Sequence, residues 1–194
     1  MRPLGRLATL ALSTLAVTAC TTMSVGSHVR SGLDFSGYRT YDWGPPDAFP
    51  TQDPRLDGDP FFHDHVQGAV DRALAAAGFE RVVTGERNLL IHYHASVTHR
   101  IDINRAEHDP AYCSEPDCVP VIEFEAGTLV LDLMDARTGR LVWRGWAQEA
   151  LGDMLENPDT MRRRIDEAVR RMLERLPPRA VLSSPGLPSQ TGGQ

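Results

Sequence analysis

Between residues 121 and 148 the chain alternates apolar and polar side chains, turns over four residues and alternates back, and this constrains the fold more than any other feature. Leu129, Leu131 and Leu133 recur at every second position along Val121 to Asp135, Ala136-Arg137-Thr138-Gly139 supplies the turn, and Leu141 and Trp143 alternate along Arg140 to Gln148. A period of two sends alternate side chains to opposite faces of a strand, so the segment predicts a β-hairpin. A further segment, Leu89 to Thr98, repeats the pattern. Leu89, Ile91, Tyr93, Ala95 and Val97 share one face, and His92, His94, Ser96 and Thr98 share the other. Such a sheet has one face to bury and one that meets water or a partner.

Two helical segments can cover the apolar face. Asp59 reads as an N-cap with Pro60 at the first helical position, and Phe62, Val66, Ala69, Val70, Ala73 and Ala77 fall on one side before Gly78 ends the helix. From about Asp159 to Leu176, Met161, Ile165, Val169, Met172 and Leu176 form an apolar stripe, with six arginines and four acids around it. Phe35 to Trp43 reads as a first strand, stopped by Gly44-Pro45-Pro46 and followed by a proline-rich loop over 44–60. The expected order is strand, helix, three-stranded meander, helix: an α+β fold with an antiparallel sheet and both helices packed on one face.

The N-terminus reads as an address. Arg2 and Arg6 precede the uncharged stretch Leu7 to Val17. Eleven residues of helix rise about 16 Å, roughly half a bilayer's hydrocarbon core, which suits a signal peptide and not a membrane span. The stretch ends Val17-Thr18-Ala19-Cys20 and resembles a bacterial lipobox. That resemblance implies a signal peptide over 1–19, lipid on the Cys20 sulfur, and acylation (palmitate, for example) of the new amino terminus. Two or more acyl chains hold a protein on a membrane stably. Thr21 in place of Asp implies, by the enterobacterial rule, sorting to the outer membrane, with the domain facing the periplasm. Residues 20–33 then read as a lipidated flexible tether, 34–176 as the domain, and 177–194, rich in Pro, Gly and Ser, as a disordered tail.

Charge narrows the function classes. The net charge is −6, which argues against nucleic acid as a partner and against a basic face on anionic lipid. All 20 basic residues are arginine, so a Schiff-base lysine and a P-loop lysine are excluded. No Ser-centred nucleophile motif, phosphate loop or paired catalytic acids follow from spacing, so no enzyme and no cofactor is expected. Asp132 and Asp135 read as structural, Asp135 because it opens a turn.

The segments Tyr38-x-x-Tyr41-Asp42-Trp43, Asn88-Leu89-Leu90-Ile91-His92-Tyr93-His94, Gly127 to Ala136 and Leu141-Val142-Trp143-Arg144-Gly145 resemble a bacterial lipoprotein family known by its placeholder name, domain of unknown function 4136. The resemblance spans about residues 35–176. It implies an envelope lipoprotein with an α+β domain and brings no catalytic residues. The family usually carries a small acid where this chain has Asn88.

Three groups of residues are candidates for a site. Cys113 and Cys118 flank Ser-Glu-Pro-Asp, and in an exported chain their first reading is a disulfide; the alternative joins them with His108 as metal ligands. His92 and His94 set two imidazoles side by side on one strand face, which suits a transition metal or a partner. His63 and His65 bracket an aspartate at a helix start and cannot chelate together. Trp43 and Trp143 are expected in the core. Trp146 has the opposite parity to Trp143, and is expected half exposed as an anchor on the same face as His92 and His94. The leading expectation is a lipid-anchored binding or scaffolding module that meets an envelope protein. The alternative is a transition-metal protein using His92 and His94.

Overall fold

The computed structural model describes residues 23–45, 50–102 and 122–178. Residues 1–22, with the expected signal peptide and Cys20, lie outside the described residues, as do His108, Cys113, Cys118 and residues 179–194. The fold is α+β. Strands β1 (Ser24–Val29), β2 (Thr40–Trp43), β3 (Glu80–Arg81), β4 (Leu89–Asp102), β5 (Ile122–Asp135) and β6 (Arg140–Ala150) form one sheet in the order β1-β6-β5-β4-β2-β3. Helices α1 (Pro54–Asp57), α2 (Pro60–Ala76) and α3 (Pro158–Leu173) complete the domain, with 3-10 turns at Phe35–Gly37 and Met154–Glu156.

Helix boundaries follow the local chemistry. The Asp59 carboxylate accepts from Phe61 N, and Pro60 occupies the first turn, where its missing N–H costs nothing. Gly78 takes φ +79° just past the end of α2, a left-handed conformation that favours glycine. Asn157 caps α3 by accepting from Thr160 N. The inner face of the sheet, with Leu89, Ile91, Tyr93, Leu131, Leu133 and Trp143, shares one core with Val66, Val70 and Leu74 of α2 and with Ile165, Val169 and Met172 of α3.

Four expectations are corrected. First, the sheet is mixed, not purely antiparallel: β4, β5 and β6 pair antiparallel in chain order, but β2 runs parallel to both β4 and β3. A parallel pair needs a crossover between its strands, and α2 supplies it. Second, residues 24–29 are not tether; they form β1, antiparallel to β6, so the domain begins before residue 34. Third, Phe35 to Gly37 turn before the strand begins at Thr40, because the Asp34 carboxylate accepts from Ser36 N and Phe35 is buried. Fourth, Leu141 and Trp143 do not share a face. The β5–β6 register shifts between Leu133 and Met134, so Trp143 pairs with Leu133 and Leu141 with Met134, leaving Val142 as an extra, buried residue.

Candidate functional site: the open face of the sheet

The recurrent sequence signatures resolve first into scaffolding. Tyr41 Oη donates to Asp71 Oδ1 at 2.8 Å and Trp43 Nε1 donates to the same oxygen at 3.1 Å, while Arg81 Nη1 holds Oδ2 at 3.0 Å. This ties β2 and β3 to α2. Tyr38 Oη donates to Asp135 Oδ2 at 2.9 Å, and Thr138 N and Oγ1 donate to Oδ1 at 2.7 and 2.8 Å, which locks the β5–β6 turn to the segment before β2. Those hydrogen bonds, Thr138 first, hold the Asp135 carboxyl below its ordinary pKa. Burial, aided by Asp135, pushes Tyr38 up to about 12, and burial also raises Tyr41 and Tyr93. All three phenols stay protonated at neutral pH, and Tyr38 and Tyr41 donate to their carboxylates.

Asn88 holds the start of β2. Its Oδ1 accepts from Arg39 N at 3.1 Å, Thr40 N at 3.2 Å and Thr40 Oγ1 at 3.1 Å, pinning the start of β2 beside β4. An acceptor is what the position needs, and Asn and Asp both supply one. The helix histidines are structural as well: His63 Nδ1 pairs with Tyr93 Oη, and His65 Nε2 meets the Arg162 carbonyl at 3.2 Å.

The outer face remains. Register places His94, Val130, Trp146 and Gly26 in one row across β4, β5, β6 and β1, and His92, Asp132, Arg144 and His28 in the next. His92, His94 and Trp146 therefore lie on one surface, opposite the face that α2 and α3 cover. Trp146 is 37% exposed, as its parity predicts, whereas Trp43 and Trp143 are buried. The Trp146 indole lies across β1. A Cβ on Gly26 would come within 2.2 Å of its Cζ2, so only glycine leaves room there.

Sequence reasoning missed the centre of this surface. Asp132 is buried on the nominally open face, at 4% exposure, because Arg144 covers it in a bidentate pair of 2.6 and 2.5 Å. The Asp132 carboxylate in turn pushes the Arg144 pKa up. His94 Nε2 stands 3.8 Å from Asp132 Oδ2. The signal that could have found the pair is the parity shared by Asp132, Arg144, His92 and His94 on strands that the hairpin aligns. Among the described residues no three His, Cys, Asp or Glu side chains are arranged to hold a metal ion, and Arg144 already takes both oxygens of the carboxylate nearest His94. The face presents a half-exposed indole, the half-exposed His94 imidazole and a guanidinium fixed by a buried acid, whereas His92 Nε2 is buried.

On the helix side, one end of the interlayer holds an apolar cavity of about 80 Å³, walled by residues that include Met23, Phe62, Leu129, Met154 and Met161, with the Arg164–Glu149 ion pair beside it.

A family model described as "Domain of unknown function (DUF4136)" matches residues 25–178. No curated protein matches the chain. Among solved structures, a PelC dodecamer from Paraburkholderia phytofirmans is similar at 12% identity and TM-score 0.44, over 78% of this chain and 95% of that one. A PDZ domain protein from Parabacteroides distasonis is similar at 18% identity and TM-score 0.43, over 77% of this chain and 35% of that one. A putative neuraminyllactose-binding hemagglutinin homolog from Helicobacter pylori is similar at 12% identity and TM-score 0.40, over 74% of this chain and 84% of that one. At these values the likenesses carry no inference about function.

Proposed function

The chain belongs to the family described as domain of unknown function DUF4136, and from that premise we propose that it is a lipid-anchored lipoprotein of the bacterial envelope that binds or scaffolds a partner protein and catalyses nothing. The observation that carries the binding role is the outer sheet face, where His94, Val130 and Trp146 form a continuous row beside the Asp132–Arg144 pair. The signature residues Tyr38, Tyr41, Trp43, Asn88 and Asp135 are engaged in holding strands and helices together, which leaves this face as the chemically distinct surface. The anchor rests on the lipobox ending at Cys20, with a periplasm-facing position on the outer membrane following from Thr21.

Cell fractionation tests the anchor. The unaltered chain is expected in the membrane fraction with acyl mass on the Cys20 peptide, and the Cys20→Ser chain is expected to lose both. A membrane-free unaltered chain with an unmodified Cys20 would contradict the anchor. A transition metal on His92 and His94 has no third ligand among the described residues. Stoichiometric zinc or copper in the purified chain, lost on His94→Ala, would replace the binding reading with that one.

A further inference from the structure

The sheet ends on β1, and this edge lacks the devices that keep an edge strand from pairing. Ser24–Val29 (SVGSHV) holds no arginine, lysine, proline or acid, and it pairs with β6 over six residues without a bulge. The phase of the ladder identifies the groups that face outward. Arg30 N donates to the Val142 carbonyl at 3.0 Å, continuing the β1–β6 register, so Ser24, Gly26 and His28 are the residues that exchange hydrogen bonds with β6. The N–H and C=O groups of Val25, Ser27 and Val29 therefore point away from the sheet. Among the described residues no hydrogen bond occupies them.

We propose that this edge joins two copies of the chain. The second copy adds its own β1 antiparallel, centred on Ser27, and one sheet runs through both molecules. The strand is self-complementary in that register. Val25 faces Val29 of the second copy and Ser27 faces Ser27, giving about six backbone hydrogen bonds and two β-branched cross-strand pairs. On the outer face Gly26 meets His28 of the second copy. The Trp146 indole lies over Gly26, so the incoming imidazole lands against an aromatic edge. Arg30 meets Ser24, so no like charges face each other. This interface goes beyond the proposed binding role: it holds whatever the His94 face recognises and whether or not Cys20 carries lipid.

Disulfide trapping tests it. In an antiparallel pair that exchanges hydrogen bonds the Cα atoms lie about 5.5 Å apart, within the span of a disulfide. The full chain carrying Cys113→Ser, Cys118→Ser and Ser27→Cys is purified and oxidised with copper–phenanthroline, which makes the result independent of cell compartment. The parent lacking Ser27→Cys sets the background from Cys20. A covalent dimer is expected from Ser27→Cys and not from Ser96→Cys, which sits within the sheet on β4. Equal yields from both would mark random collision and overturn the interface. In parallel, Ser27→Pro removes an outward N–H while leaving the β6 ladder intact. Sedimentation velocity is expected to show dimers for the unaltered chain and monomers for Ser27→Pro, with the same far-UV circular dichroism. A monomeric unaltered chain, or a folded Ser27→Pro chain that remains dimeric, overturns the proposal. If Ser27→Pro does not fold, the cysteine pair of experiments decides alone.

Discussion

Asn88 shows how a single acceptor atom can organise a strand start. Its Oδ1 serves two backbone donors and one hydroxyl at once. Asn88→Ala leaves those donors to find other partners and is expected to lower unfolding free energy by about 1–3 kcal/mol in urea titration, whereas Asn88→Asp keeps the acceptor and is expected to stay within about 1 kcal/mol. Asp135 carries a pH signature. Its folded-state carboxyl is more acidic than in the unfolded chain because Thr138 and Tyr38 donate to it. Its contribution is therefore complete above the ordinary carboxylate range, about pH 4, and fades as pH falls through the lower folded value. Asp135→Asn is expected to flatten that part of the stability profile, read as a smaller loss of thermal stability between about pH 5 and about pH 3, the range around the ordinary carboxylate pKa. Both roles were partly legible. Asp at the mouth of a turn announces local hydrogen bonding. The contact of Asn88 with Arg39 and Thr40, 49 and 48 residues away, is not written in any local pattern.

Among the elements, legibility followed the strength of the hydrophobic period. Strands β4 and β5 and helix α3 combine long runs with clean alternation or a clear stripe, and their faces were readable residue by residue. Strand β1 was not, because it is short and its apolar face is just Val25 and Val29, both packed against the core, too brief a period to stand out. The parallel pairing of β2 was hidden for a different reason. Three residues of pairing carry no direction in their sequence, and only the crossover through α2 sets it. The bulge at Val142 turned a simple alternation into a pair of adjacent inward residues, so Leu141 went to the wrong face. Trp143 beyond that bulge fills the space beside Gly145, where a Cβ would come within 2.3 Å of its Cη2. Gly145→Ala must displace a buried indole, and is expected to cost about 1–3 kcal/mol with a shift in near-UV circular dichroism.

For the whole molecule, the division of labour runs between the two faces of one sheet. The inner face and its helices hold the fold through a single core, and the signature tyrosines, Trp43, Asn88 and Asp135 fasten its elements. On the outer face the exposed anchor and the buried acid stand beside two imidazoles. His92, His94 and Trp146 were legible as one surface from parity alone. The Asp132–Arg144 pair at its centre required the register between β5 and β6. The most direct test is photocrosslinking in cells from a photoreactive residue at His94, three strands away from the β1 edge, followed by mass spectrometry. The account expects a discrete adduct with one envelope protein, lost when Trp146→Ala is added. No adduct from His94, in cells where the chain is folded and membrane-bound, would contradict a partner-binding face.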